Sequence, residues 1–302
     1  MTAALRPRAR WAREPERGSV WLMRLMTQFS LLTGRRGGRA LLYVIAAYFF
    51  LFAPRARRAS KAYLQRVLGR RPGGRDRFRQ VMSFASTIHD RVYLLNDRFE
   101  LFDITVEGEE LMRERMQSGG GAFLVGAHLG SFEVTRAIGR RQPGLRVAMV
   151  AYEENARKIN AMMAAVNPGL ATETVALGSL EAMLKVRGLL DEGVFVGMLG
   201  DRTPGGEATQ VVQFLGAPAR FPIGPMRVAA LLGAQVILML GVYLGGNRYR
   251  VVFEALADFE GVGRTERESA VEAAIVRYAR RLEEYCREYP YNWFNFYDFW
   301  AE

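Results

Sequence analysis

The chain has 302 residues, 50% of them hydrophobic and 24% charged, which excludes wholesale disorder. One cysteine, Cys286, and two histidines, His89 and His128, exclude a disulfide framework, a Cys-based zinc site and a His-rich metal site. The net charge of +11 is uneven: residues 1–80 carry +16 and residues 81–302 carry −5, a basic arm on a mildly acidic body. Such an arm calls for a polyanion, whether acidic lipid, nucleic acid or acidic protein.

The apolar residues of the arm decide among these partners. Residues 20–33 are apolar apart from Arg24, Thr27, Gln28, Ser30 and Thr33, and the glycines and arginines of residues 34–38 separate them from a second apolar run. That second run, residues 40–53 (ALLYVIAAYFFLFA), carries no charge. As a helix it spans about 21 Å, short of the roughly 30 Å hydrocarbon core of a bilayer. Arg35, Arg36 and Arg39 precede it, and Arg55, Arg57, Arg58 and Lys61 come after it. A single spanning helix concentrates its positive residues on the cytoplasmic side. Charge on both sides fits a helical pair lying in or re-entering the cytoplasmic face of a membrane, held by apolar burial and anionic lipid. A true span and a buried core hairpin with a basic rim are the two rivals. The run starts too late for a secretory signal and lacks an A-x-A-like site after it. Nucleic acid is the poor choice, because the arm has no recognised binding fold and its aromatics sit in continuous apolar runs. We therefore expect an N-terminal region at residues 1–75 and an α/β domain at residues 76–302.

After residues 71–74 (RPGG) a helical pattern runs to about residue 98. Residues 119–121 are three glycines, and residues 122–127 (AFLVGA) form a short apolar run of buried-strand type. A helix at residues 131–138 ends at Gly139. Residues 145–151 are a second buried strand, 156–166 a helix, and 172–176 a weak strand. A helix at residues 179–192 has Ser179 as its N-cap and Gly193 past its end. Residues 194–199 are another buried strand and 211–215 a short apolar run. Residues 224–232 are helical, 235–242 and 249–253 are strands, and 266–287 form a long amphipathic helix before an aromatic tail. Strands alternating with helices predict a mostly parallel central sheet flanked by helices. Ligands of such sheets bind outside the carboxyl ends of the strands, so the loops after Ala127, Ala151 and Leu199 are the places for chemistry.

The first of these loops reads Gly126-Ala127-His128-Leu129-Gly130-Ser131-Phe132-Glu133. Gly130 allows a close approach, Ser131 can cap the next helix, and the helix dipole favours Glu133 in its first turn. Folded back onto His128, that carboxylate would hold one imidazole nitrogen and raise the basicity of the other, the arrangement that deprotonates a hydroxyl. The plainer reading, a turn histidine beside an ordinary first-turn glutamate, stays open on spacing alone.

The H-x-x-x-x-E motif between a strand and a helix resembles the lysophospholipid acyltransferase superfamily, and more specifically the lipid A biosynthesis acyltransferases of the lauroyl/myristoyl type. The resemblance runs from about residue 20 to 300. The apolar basic N-terminal region resembles that family's membrane anchor. Gly200-Asp201-Arg202 matches its aspartate-led motif, and Phe214-Leu215-Gly216-Ala217-Pro218-Ala219-Arg220 with Gly224-Pro225 matches the block after it. The resemblance implies a bacterial inner-membrane enzyme on the cytoplasmic face. It would transfer a fatty acyl group from acyl carrier protein or coenzyme A to a hydroxyl of a lipid A-like acceptor, without cofactor or metal. His128 would be the general base and Glu133 its partner. Backbone N–H groups at Gly130 and Ser131 are candidates to meet the oxyanion, and the loop at Asp201 would contact substrate; Arg202 and Arg220 either hold phosphates of the acceptor or of a phosphopantetheine arm or are solvated surface arginines. Two departures open the acceptor to other glycolipids or specialised lipids. Residues 151–155 lack the family's arginine near tyrosine, the nearest being Arg157, and Asp201 is followed by Arg202-Thr203-Pro204.

Other features read as structure. His89 lies in a helical stretch beside Asp90. The three glycines precede a strand and no GKS/T comes after them, which argues against nucleotide. No G-x-S-x-G is present, which argues against an α/β-hydrolase. Phe221-Pro222-Ile223-Gly224 is taken as a turn, Cys286 as an inert thiol. The aromatic tail at residues 291–300 either meets the membrane, roofs an acyl groove or docks on the core. A non-catalytic lipid-binding protein and a thioester hydrolase remain as rival functions.

Overall fold

The computed structural model describes residues 20–142, 144–152, 156–157, 160–161, 166–167, 174–177, 179–202 and 207–300. The expected helix at residues 156–166 lies largely outside them, as do residues 153–155 and 203–204. The elements in chain order are α1 (Val20–Phe52), α2 (Pro54–Leu68), α3 (Gly74–Leu94), a 3-10 turn (Phe99–Leu101), β1 (Asp103–Glu107), α4 (Glu109–Gln117), β2 (Phe123–Gly126), α5 (Phe132–Arg141), β3 (Val147–Tyr152), β4 (Thr174–Leu177), α6 (Leu180–Asp191), β5 (Phe195–Leu199), β6 (Thr209–Phe214), β7 (Ala217–Pro222), α7 (Gly224–Leu231), β8 (Gln235–Gly245), β9 (Arg248–Asp258) and α8 (Arg267–Glu288).

Seven strands form one sheet in the order β1-β9-β8-β2-β5-β3-β4. Every pairing is parallel except the β8–β9 hairpin. Strand β2 shows why its run is continuously apolar: Phe123 and Val125 face one core with Tyr63, Val186, Tyr278 and Leu282, while Ala122 and Leu124 face another with Tyr93, Met112 and Val134. The sheet is thus covered on both faces, as the alternation of elements predicts. Ser179 caps α6 through its hydroxyl, which accepts from the Ala182 N–H at 3.1 Å. Residues 217–222, taken partly as a turn, are instead strand β7, which pairs antiparallel with β6 outside the main sheet.

The basic arm divides. α2 packs into the body, burying Tyr63, Leu64 and Val67. Helix α1 is kinked at Gly34 (φ 72°), so the expected break is a single non-helical residue. Among the described residues no single helix is long and apolar enough to cross a membrane, whereas the pair of residues 26–52 and 54–68, bent by 93°, passes by length and composition together. The buried-hairpin alternative fails for α1, where Leu32, Val44, Tyr48, Leu51 and Phe52 are exposed. Two of the arginines expected to meet lipid have partners within the chain. Arg35 pairs with Asp90 at 2.7 Å, and Arg39 donates to the Gly246 carbonyl at 2.7 Å.

Candidate active site

Parallel pairing of β2 and β5 sets the site. Gly126 is in register with Leu199, the last residue of each strand. Two residues further on, at the carboxyl edge of the sheet, stand His128 and Asp201. His128 Nδ1 lies 2.7 Å from Asp201 Oδ1, and the His128 backbone N–H donates to Oδ2 at 3.1 Å. Asp201 is fully buried, while the His128 side chain is 30% exposed. Burial alone would raise the Asp201 carboxyl; the His128 ring and N–H and the Arg202 charge outweigh it and hold the group well below the usual carboxylate range. An ionised Asp201 assigns the proton to Nδ1 and leaves the Nε2 lone pair as the accessible base. Burial and the Arg202 charge lower the His128 pKa against the opposing pull of Asp201, with Arg91 adding to the lowering. The ring is therefore neutral and ready to accept a proton at neutral pH. The expected gain in basicity is absent because desolvation dominates.

Glu133 is not on the ring. It forms an ion pair with Arg91 Nε of α3 at 2.7 Å, and its other oxygen accepts from the Ser131 hydroxyl at 3.2 Å. The physical reason is that Asp201 already occupies the imidazole face toward the protein, and α3 presents a cation to the N-terminus of α5. The expected contact of Glu133 with His128 is not made; the imidazole is held by Asp201 instead.

The loop amides have partners as well. The Gly130 N–H donates to the Asn292 carbonyl at 2.9 Å and the Ser131 N–H to the Gly241 carbonyl at 2.7 Å. Both amides are thus engaged in holding the loop. Gly130 adopts φ 72° and abuts β8, where a Cβ would sit 1.9 Å from the Gly241 carbonyl oxygen. Only glycine fits at that approach. Arg202 turns to the C-terminal tail, donating to the Asn295 side chain and, at 2.9 Å, to the Phe294 carbonyl. Arg220 is exposed on β7, on the opposite side of the strand from the buried Phe221.

The tail is the part of the site that sequence reasoning missed. Residues 291–295 run beside the histidine loop: Leu129 and Trp293 form an antiparallel bridge, and the Phe294 N–H donates to the His128 carbonyl at 2.8 Å. Trp293 Nε1 and Asn295 Nδ2 donate to Asp201 at 3.0 and 3.2 Å. The Asn292 amide pairs with the backbone of Tyr243 in β8 at 2.8 and 3.1 Å. Trp293 is wholly buried against Tyr63 and Phe299. Docking on the core is thus the outcome for the tail among the three expected. The available signal was the two asparagines inside a run of aromatics, since amides buried there must find partners.

The arrangement is a partly exposed histidine held by a buried carboxylate, at the edge where α/β sheets take ligands, and such a pair is chemically suited to proton abstraction. No group of metal-ligating side chains occurs among the described residues. Residues 6–301, nearly the whole chain, match the sequence model of a family described as bacterial lipid A biosynthesis acyltransferase. A search of curated proteins finds no match.

Proposed function

Because the chain belongs to the bacterial lipid A biosynthesis acyltransferase family, we propose that it moves a fatty acyl group from a thioester of acyl carrier protein or coenzyme A to a hydroxyl of a lipid A-like acceptor, with His128 as general base. The observation that carries this reading is the His128–Asp201 pair, with the imidazole partly exposed. Nε2 takes the proton from the acceptor hydroxyl as the oxygen attacks the thioester carbonyl carbon. The C–S bond then breaks, the ester forms, and the sulfur leaves with the proton from the imidazolium. No acyl-enzyme is required. Asp201 keeps Nδ1 protonated and stabilises the imidazolium, as in other base–orienter pairs.

The reaction joins a soluble donor to a lipid, so the enzyme works at a membrane. The exposed apolar face of α1, with Leu32, Val44, Leu51 and Phe52, suits the cytoplasmic leaflet of the inner membrane, and exposed Arg36 and Arg58 suit its anionic headgroups. The sequence departures after Ala151 and Asp201 favour a second reading, in which the acceptor is a different glycolipid or a specialised lipid.

Purified enzyme given an acyl thioester and a panel of lipid acceptors tests both readings by mass spectrometry. The lead predicts one added acyl group on a lipid A precursor. Transfer confined to another lipid alcohol selects the second reading. Thioester consumed equally without any lipid would make the protein a hydrolase, and thioester untouched would make it a non-catalytic binder.

A further inference from the structure

Arg202 directly follows the carboxylate that holds His128, yet its own side chain turns to the C-terminal tail. Its Nε donates to the Asn295 side-chain oxygen, and Nδ2 of the same amide donates to Asp201 Oδ2 at 3.2 Å. Asp201 Oδ1 in turn lies 2.7 Å from His128 Nδ1. Four side chains thus stand in one hydrogen-bonded line, Arg202–Asn295–Asp201–His128. Asn295 is 1% exposed and Asp201 is fully buried, so bulk water cannot stand in for a lost contact between them.

The two ends of the line leave the amide a single orientation. A guanidinium has donors and no acceptor, so it takes only the amide oxygen. An ionised carboxylate has acceptors and no donor, so it takes only the NH2. The opposite flip sets N–H against N–H and oxygen against oxygen at a buried site. The backbone under Asn295 is fixed separately. The Phe294 N–H donates to the His128 carbonyl at 2.8 Å, and the Asn292 side chain clasps both backbone polar groups of Tyr243.

We propose that Asn295 and Arg202 are positioning residues for His128: Arg202 fixes the direction of the Asn295 amide, and that amide, by holding Oδ2, keeps Oδ1 of Asp201 turned to the imidazole. Neither residue needs to touch substrate. With a fixed acceptor opposite Nδ1, the ring proton stays there and Nε2 is the basic nitrogen. The effect on rate rests on the acyl-transfer reading above, whereas the effect on the imidazole rests on geometry alone.

Three substitutions in the full-length protein test this, each checked for a wild-type melting temperature. Asn295→Asp is near-isosteric and still offers Arg202 an acceptor, but it turns an oxygen toward Asp201. Arg202→Gln and Arg202→Met both remove the charge. Gln carries an N–H donor at the bond position of the arginine Nε, and Met carries a methyl there. Acyl transfer is followed from a coenzyme A or carrier-protein thioester to a lipid alcohol the wild type accepts. The His128 tautomer is read by nitrogen NMR of histidine-labelled protein, with His89→Leu identifying the second ring. Asn295→Asp lowers kcat by about 10–10²-fold with little change in KM, the scale of a lost hydrogen bond to a charged group. It also moves His128 from the Nδ1–H form toward a mixture of tautomers. Arg202→Met lowers kcat by about three- to tenfold, and Arg202→Gln recovers most of that loss. A wild-type kcat or an unchanged tautomer in Asn295→Asp overturns the assignment, as does Arg202→Gln no faster than Arg202→Met. Wild-type enzyme that transfers no acyl group to any lipid alcohol overturns the acyl-transfer reading instead, and the tautomer still decides the role of Asn295.

Discussion

Two histidines in this chain each have an aspartate nearby, and only one pair is hydrogen-bonded. His89 and Asp90 are adjacent in sequence, yet His89 Nδ1 stays 3.8 Å from the Asp90 carboxylate and neither ring nitrogen has a hydrogen bond. Asp90 is occupied elsewhere, by Arg35 at 2.7 and 2.8 Å and by the Tyr249 hydroxyl at 2.8 Å. His89 itself is buried between α1 and α3, close enough to Gly38 that a Cβ there would lie 2.2 Å from Nε2. His128 and Asp201 are 73 positions apart, and strand register brings them to 2.7 Å. The lesson is that a carboxylate orients an imidazole when its remaining donors point it there. Around Asp201 those donors are Trp293, Asn295 and the His128 N–H. Around Asp90 they are Arg35 of the arm and Tyr249 of β9, and neither directs the carboxylate to His89.

The largest break in this contrast is Asp201→Asn. The amide loses the charge that fixes the Nδ1 proton, and kcat is expected to fall by about 10²–10⁴-fold, the range for general-base catalysis and its orienter. The pH profile sharpens the point. Transfer needs neutral His128, and its pKa is lowered, so the acid limb of the wild type lies below the roughly 6.5 of free imidazole. Asp201 opposes that lowering, so Asp201→Asn moves the limb lower still. A wild-type limb above that of free imidazole would contradict the electrostatics of the site.

Gly130→Ala is next. The new Cβ meets the Gly241 carbonyl and must also accept φ 72°, a cost on the order of 1–3 kcal/mol read as a lower melting temperature, with a displaced histidine loop and slower transfer. Trp293→Phe is milder. It keeps a ring in the core and removes one hydrogen bond to Asp201, and kcat should fall by about tenfold, equivalent to roughly 1.5 kcal/mol for a bond to a charged group. His89→Leu has the smallest effect. It replaces two unpartnered ring nitrogens by an apolar group of similar size, so stability holds or rises by about 1–3 kcal/mol and the transfer rate is unchanged. A loss of activity there would erase the distinction between the two pairs.

Much of this was legible in the sequence. The continuous apolar runs at residues 122–127 and 194–199 mark strands buried on both faces, and His128 and Asp201 come directly or almost directly after them. What sequence could not supply was that β2 and β5 are neighbours, because parallel pairing joins residues through crossovers with no local signature. Glu133 was the nearer carboxylate in the chain and therefore the natural partner for His128. The three-dimensional answer turned on Arg91, on a helix that gave no sign of packing over α5. The tail's contacts with the site were missed for a related reason: aromatic density predicts burial but not against what, whereas Asn292 and Asn295 needed specific partners that only the folded loop provides. In the arm, composition marked the apolar face of α1 but could not foresee that Arg35 and Arg39 turn inward.

The central claim is that His128, held by Asp201, is the base of an acyl transfer. It is tested most directly by mass spectrometry of total lipids from cells making wild type or His128→Ala at equal membrane level, in a host that contains lipid A. The account predicts a lipid heavier by one acyl group with wild type and its disappearance with His128→Ala. The same product in both strains would contradict it.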